Sequence, residues 1–137
     1  MNDDELRQAL TVREAYMAQL DMLTQQVQLL QMSVEEAARA RDTLKNIKDA
    51  KEGDEILIPI GAASFIPAKV SSTGTAIIGI GNRVSVEKSV DDAVAYMKAS
   101  VDEISAALKK AVDTLNEVET AARNLTAAIN QESQRRQ

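Results

Sequence analysis

From Leu6 to Leu44 the chain places its seam residues at steps that alternate three and four: Leu6, Ala9, Arg13, Tyr16, Leu20, Leu23, Val27, Leu30, Val34, Ala37, Arg41 and Leu44. This is the a/d repeat of a coiled coil. The same alternation returns in Val90, Val94, Met97, Val101, Ile104, Leu108, Ala111, Leu115, Val118, Ala122, Leu125 and Ile129. Neither arm contains glycine or proline, so each reads as one unbroken helix, roughly 65–70 Å long at 1.5 Å per residue. Between them the period changes. Gly53–Lys88, GDEILIPIGAASFIPAKVSSTGTAIIGIGNRVSVEK, is rich in β-branched residues and holds both prolines and all five glycines. Short strands are legible at Glu55–Ile60, Phe65–Val70, Thr75–Ile80 and Arg83–Val86. The expected class is α+β: a long antiparallel two-helix coiled coil with a central pair of β-hairpins.

Local signals agree with these elements. Asn2 followed by Glu5, and Ser89 followed by Asp92, have the form of capping boxes. Asp3, Asp4 and Asp91 add negative charge where a helix dipole is positive, and Arg135 and Arg136 add positive charge where it is negative. Ser33-Val34-Glu35-Glu36 also resembles a cap, but the heptad runs straight through it. Gly53 is placed as a helix stop. The chain therefore divides into an N-terminal coil helix at 3–51, hairpins at 53–88 and a C-terminal coil helix at 89–134, within one subunit of 1–137.

Helices with a single apolar seam need partners, and these two fit each other when antiparallel. Leu44 then meets Val94, Ala37 meets Val101, Val34 meets Ile104 and Leu30 meets Leu108. Val27 follows with Ala111, Leu23 with Leu115, Leu20 with Val118 and Tyr16 with Ala122. A parallel dimer of two chains would satisfy the same heptads but leave the β segment awkwardly placed in mid-rod. Arg13 and Arg41 are polar seam residues. Such residues can fix register, but long arginine stems can also turn out of a thin seam, and that simpler reading is preferred.

In the middle segment, Gly61-Ala62-Ala63-Ser64 and Gly81-Asn82 are the turns of the two hairpins. Ile56, Leu57, Ile58, Pro59 and Ile60 run apolar without alternation, which calls for burial on both faces. Four short strands of one chain can hardly provide it, so other subunits must complete the sheet. Pro59 and Pro67 cannot donate ladder hydrogen bonds and must face an edge or a bulge.

Composition narrows the function. Hydrophobic residues make up 45% but aromatics only 2%, which suits thin seams and small sheets rather than a bulky core. A net charge of −5 argues against nucleic acid as a partner. The chain lacks cysteine, which removes thiolate chemistry, and lacks histidine, the commonest general base and metal ligand. No apolar run approaches the roughly 20 residues that span a bilayer, and MNDDELRQAL does not resemble a secretory leader; a cytoplasmic location is expected. Gly79-Ile80-Gly81 lies between strands and lacks the helix that a phosphate cradle needs. Asp3-Asp4 and Asp91-Asp92 sit at helix starts, where acids are common, and Ser64, Ser71, Ser72 and Ser85 have no histidine to activate them. No catalytic, metal or cofactor site is expected, and the chain does not read as an enzyme.

The middle segment and its junctions resemble the prefoldin family, alpha class. The matching residues are Ile58-Pro59-Ile60-Gly61 leading into Ala62-Ala63-Ser64-Phe65, then Gly79-Ile80-Gly81 and Val84-Ser85-Val86-Glu87-Lys88. With the arms, the resemblance covers essentially the whole chain, and its length and lack of histidine and cysteine look more archaeal than eukaryotic. Two hairpins rather than one mark the alpha class. The resemblance implies an ATP-independent co-chaperone: a hexamer of two alpha-type and four beta-type subunits whose strands form intersubunit β-barrels. Its coil tips would hold unfolded polypeptides and pass them to a group II chaperonin. It implies an oligomerisation surface at Ile56, Ile58, Ile60, Phe65, Ile66, Ile77, Ile78, Ile80, Val84 and Val86. It also implies client-binding tips at Leu6, Leu10, Leu125 and Ile129, with no cofactor, membrane or nucleic-acid partner. Because NDDELRQAL and NQESQRRQ are polar, more of the client grip would fall to beta-type subunits. A coiled-coil adaptor or tether is the competing function.

Overall fold

Two helices flank four strands in the computed structural model, which describes all residues from Met1 to Gln137. In chain order they are α1 (Asp3–Asp49), β1 (Glu55–Gly61), β2 (Ser64–Lys69), β3 (Thr75–Gly81), β4 (Val84–Ser89) and α2 (Val90–Arg135). The helices begin where the capping pattern places them. Asn2 Oδ1 accepts the Glu5 N–H at 2.8 Å, and Ser89 Oγ accepts the Asp92 N–H at 3.1 Å. Each bond satisfies a donor that the first helical turn would leave orphaned. After Asp49 the chain turns: the Lys51 N–H donates to Asp54 Oδ2 at 2.9 Å, and Gly53 adopts φ 87°. That conformation is in the left-handed region and suits glycine.

Every position of the two heptad seams is buried or half-buried. The chain divides into two units, one of Met1–Ser33 with Ile104–Gln137 and one of Val34–Glu103. In the first, Met17 and Leu20 border the same groove as Ala122 and Thr126, and Leu23 and Gln26 border another with Ala111 and Thr114. These shared grooves set the two helices side by side and antiparallel, near the expected layers Tyr16/Ala122, Leu20/Val118 and Val27/Ala111. Arg136 Nη1 meets Asp3 Oδ1 at 2.7 Å, one residue from the register position. In the second unit Lys48 Nζ meets Asp91 Oδ1 at 2.7 Å, again one residue away. The hydrogen bond to Asp91 and that residue's charge raise the Lys48 pKa, but an exposed pair of this kind adds little stability. Arg41 Nε donates to Asp42 beside it at 3.0 Å, so its head leaves the seam as a long stem allows.

The second unit also carries the hairpins. β1 pairs with β2 and β3 with β4, both antiparallel. Their registers are the same pattern displaced by 20 residues: Glu55↔Lys69 becomes Thr75↔Ser89, Ile58↔Ile66 becomes Ile78↔Val86, and Gly61↔Ser64 becomes Gly81↔Val84. The irregularity in the ladder repeats too, between Pro59 and Gly61 and between Gly79 and Gly81. At the base of each hairpin a buried valine closes the pairing. The Val70 N–H donates to the Asp54 carbonyl at 2.9 Å, and the Val90 N–H donates to the Gly74 carbonyl at 3.0 Å. The segment is a tandem duplication in space.

The first turn falls within Gly61–Ser64 as the sequence suggests, and the second is displaced by one residue. Gly81 ends β3 and pairs with Val84, leaving Asn82 and Arg83 as the loop. In the first hairpin Gly61 pairs with Ser64 and the loop is Ala62-Ala63. All four loop residues have positive φ: 49° and 57° at Ala62 and Ala63, 51° and 60° at Asn82 and Arg83. Positive φ at both central residues is the signature of the type I′ turn, whose twist matches the flanking strands. Each alanine pays a steric penalty that glycine or asparagine would largely avoid. β4 also runs further than the periodicity suggests, through Glu87, Lys88 and Ser89 directly into α2.

Candidate functional surfaces

Strand geometry sorts the hairpin residues by face, since successive side chains point oppositely. In the first hairpin Leu57 and Phe65 share one face, and Ile58, Ile60 and Ile66 share the other. All five are exposed. Ile56 is half-buried. In the second, Ile77 is 78% exposed, Ile80 and Val84 are exposed and Val86 is half-buried. Ile78 stands apart: at 4% exposure it belongs to the chain's own core. Covering a side chain of this size is worth about 1.5–3 kcal/mol. Soluble chains rarely leave such a cluster open without a partner.

The coil end shows the opposite condition. Ile129 is 4% exposed, Leu6 and Leu125 are half-buried, and Leu10 is exposed. Next to Ile129 sits Glu132, a buried carboxylate, whose Oε1 accepts from Arg135 Nη2 at 2.9 Å and from Arg136 Nε at 3.0 Å. Arg136 also donates through Nη1 to Asp3 and through Nη2 to the Met1 carbonyl, at 2.7 and 3.0 Å. The hydrogen bond from Arg136 holds the Glu132 carboxyl below the ordinary carboxylate range, against the desolvation that pushes it up. Arg136 is held up in turn by Asp3 and Glu132. The planar guanidinium thus ties the start of α1 to the end of α2 through charge-assisted hydrogen bonds.

Heptad reasoning passed over a second set of residues on the same unit. Val12, Met17, Met22, Leu29 and Met32 of α1 lie off the seam, and all are exposed, Met22 by 72%. Met22, Leu29 and Met32 follow steps of seven and three, so they share the helix side that faces away from α2. The signal was available as apolar residues at c and f positions, where a two-helix coil carries polar ones. No three acidic side chains come together to suggest a metal site, and no helix is long and apolar enough to cross a membrane.

Comparison with known proteins decides what these surfaces belong to. Residues 16–135 match the family Prefoldin, described as prefoldin subunit. The chain belongs to the prefoldin family. It is 34% identical to the prefoldin subunit alpha of Pyrococcus horikoshii over 86% of this chain and 80% of that one. To the prefoldin subunit alpha of Thermofilum pendens it is 30% identical over 90% of this chain and 96% of that one. Among solved structures it is similar to filamentous PFD from Methanocaldococcus jannaschii, with a TM-score of 0.68 and 22% identity over 84% of this chain and 95% of that one. It is also similar to the prefoldin beta subunit from Thermococcus strain KS-1, with a TM-score of 0.61 and 20% identity over 93% and 91%. At those identities the structural likeness speaks for the fold, and it is the prefoldin fold of two long helices and intervening hairpins. As a prefoldin subunit, the chain is part of a molecular chaperone.

Proposed function

We propose that this prefoldin chain is the alpha-type subunit of a hexamer of two alpha-type and four beta-type subunits. Its hairpins join intersubunit barrels through Ile56, Ile58, Ile60, Phe65, Ile66, Ile77, Ile80, Val84 and Val86. The assembly holds unfolded polypeptides without ATP, in the cytoplasm, and passes them to a group II chaperonin; the chain itself catalyses nothing. The observation that carries the holding role is the exposed apolar set on α1. A coil whose seam is already satisfied still presents Leu10, Val12, Met17, Met22, Leu29 and Met32. Methionine-rich surfaces suit clients of no fixed shape, because the unbranched thioether repacks readily. Leu6, Leu10 and Leu125, at or beside the seam, add a second client contact at the coil end, separate from that outward face.

The test is nucleotide-free suppression of client aggregation by the complex of this chain with a beta-type partner. Met22→Lys with Leu29→Lys weakens holding several-fold while the mass of the complex stays unchanged. Removing the residues before Leu10 and after Leu125 acts in the same direction. If both variants hold a client as well as the parent complex does, the surface has another role. A coiled-coil adaptor would assemble normally and leave the client to aggregate at its unassisted rate.

A further inference from the structure

α1 carries a second alternation that its seam with α2 does not use. Ala15, Ala18, Met22, Gln25, Leu29 and Met32 follow steps of three and four, the spacing of a coiled-coil seam. All of them are exposed, Met22 by 72% and Leu29 by 65%, on the side of the helix turned from α2. The run is roughly 27 Å long at 1.5 Å per residue. The two alanines let a neighbouring backbone come close, Met22, Leu29 and Met32 supply larger knobs, and only Gln25 is polar. Ridges with this spacing accept the ridges of another helix. An extended segment, whose side chains alternate every second residue, matches them poorly.

The rim of this outer stripe is acidic. Glu14 lies four residues before Ala18, and Asp21 lies three after Ala18 and four before Gln25, so both border the stripe on the helix surface. Glu35 stands in the same relation to Met32, three residues on. Between Arg13 and Arg39 α1 has no lysine or arginine. Glu14, Asp21 and Glu35 are exposed, and the ion pairs of the coil use other carboxylates: Glu119 with Arg123, and Asp3 and Glu132 with Arg136. A second copy of α1 has no cation over this run to set against those acids. A partner bearing lysine or arginine does. We propose that the outer stripe of α1 holds client segments as amphipathic helices, apolar at three- and four-residue steps and basic along the flank. Methionine lets one stripe fit many such sequences, since its thioether repacks, and the acidic rim selects among them by charge. This rests on the reading of the chain as a client-holding subunit and names the class of segment held.

Three fluorescein-labelled synthetic peptides, each about 18 residues long to match the stripe, test it. The first has leucines at three- and four-residue steps with lysines along the flank. The second keeps the leucines and replaces the lysines by glutamates, and the third has the composition of the first with the spacing scrambled. Fluorescence anisotropy reads their binding to the complex of this chain with a beta-type partner. The first peptide binds roughly tenfold tighter than either of the others, as a few exposed charge pairs allow, and its affinity falls as salt rises. With Glu14→Gln, Asp21→Asn and Glu35→Gln together, its advantage over the glutamate peptide shrinks to about twofold. Met22→Gln with Leu29→Gln, both at exposed sites, weakens the first peptide several-fold and leaves the mass of the complex unchanged. A glutamate or scrambled peptide that binds as tightly as the first, or an advantage untouched by the acid substitutions, overturns the inference. So does a complex that loses mass when Met22 and Leu29 are replaced, because the stripe is then covered by another subunit. If no peptide binds but the wild-type complex still suppresses client aggregation, only this inference fails. If the complex leaves the client to aggregate, the holding reading fails with it.

Discussion

In the unit formed by Met1–Ser33 and Ile104–Gln137, Ile129 is 4% exposed and the buried carboxylate Glu132 accepts hydrogen bonds from two arginines. In the hairpins of the other unit, Ile77 is 78% exposed and Leu57, Phe65, Ile58 and Ile66 lie open on both faces of a two-stranded sheet. The same chain closes one region by itself and leaves the other open. An isolated hairpin is marginal in water, so the open region depends on neighbours for its stability. The closed region depends on its own seam. Substitutions should therefore act on different observables in the two places.

The widest separation is expected at the hairpin faces. Phe65→Ser with Ile66→Ser should leave the thermal unfolding of the coil almost unchanged yet weaken assembly by well over tenfold, because two side chains worth about 1.5–3 kcal/mol each lose their covering. Analytical ultracentrifugation reads that loss. Next comes Ile129→Ala, which opens a cavity in the closed region and should cost about 2–4 kcal/mol in urea unfolding of the chain. Ile77→Ala, at an exposed site, should stay within about 0.5 kcal/mol in the same measurement on the unassembled chain. Similar costs for the two isoleucines would erase the contrast between closed and open.

A smaller effect concerns acid. The Glu132 carboxyl is held below its ordinary value of 4.5 by Arg136 and Arg135. Its contribution to the coil end is thus fully present above that value and is lost as pH falls through the lowered one. Thermal unfolding of the wild type and Glu132→Gln should differ at neutral pH and converge as the solution is acidified below the ordinary carboxylate range. The smallest effect is expected at the strained turn. Ala62→Gly or Ala63→Gly relieves a left-handed alanine at φ 49° or 57°, a steric gain partly offset by glycine's larger unfolded-state entropy. The net stabilisation of the first hairpin is about 0.5 kcal/mol, read as slower amide exchange at Ile58 and Ile66.

Much of this contrast was legible in the sequence. Heptad spacing is a local signal, and every residue it assigned to the two seams is buried or half-buried, while the capping patterns placed Asn2 and Ser89. The apolar run Ile56–Ile60 announced a sheet that one chain could not bury. Other features were not legible because they depend on three-dimensional phase. That Gly81 closes a pair while Arg83 takes positive φ follows from the ladder irregularity before it, and nothing in Gly-Asn alone reveals that. The duplication leaves only a short trace in the sequence, Ile58-Pro59-Ile60-Gly61 against Ile78-Gly79-Ile80-Gly81, which the periodicity did not single out; the paired registers align Pro59 of one copy with Gly79 of the other. The apolar residues Met22, Leu29 and Met32 were hidden by attention to the seam. Burial of Ile78 could not be read from residue type, since its neighbour Ile77 has the same apolar character and is exposed.

Amide hydrogen exchange tests the division between a closed coil end and open hairpins most directly. It is measured on the full chain alone and again in complex with a beta-type partner. Exchange across residues 104–134 should be slow in both samples and change little between them. Exchange across residues 55–89 should slow by at least about tenfold on assembly, as the free edges and faces are covered. Hairpin amides already slow in the lone chain and unchanged in the complex would contradict the account.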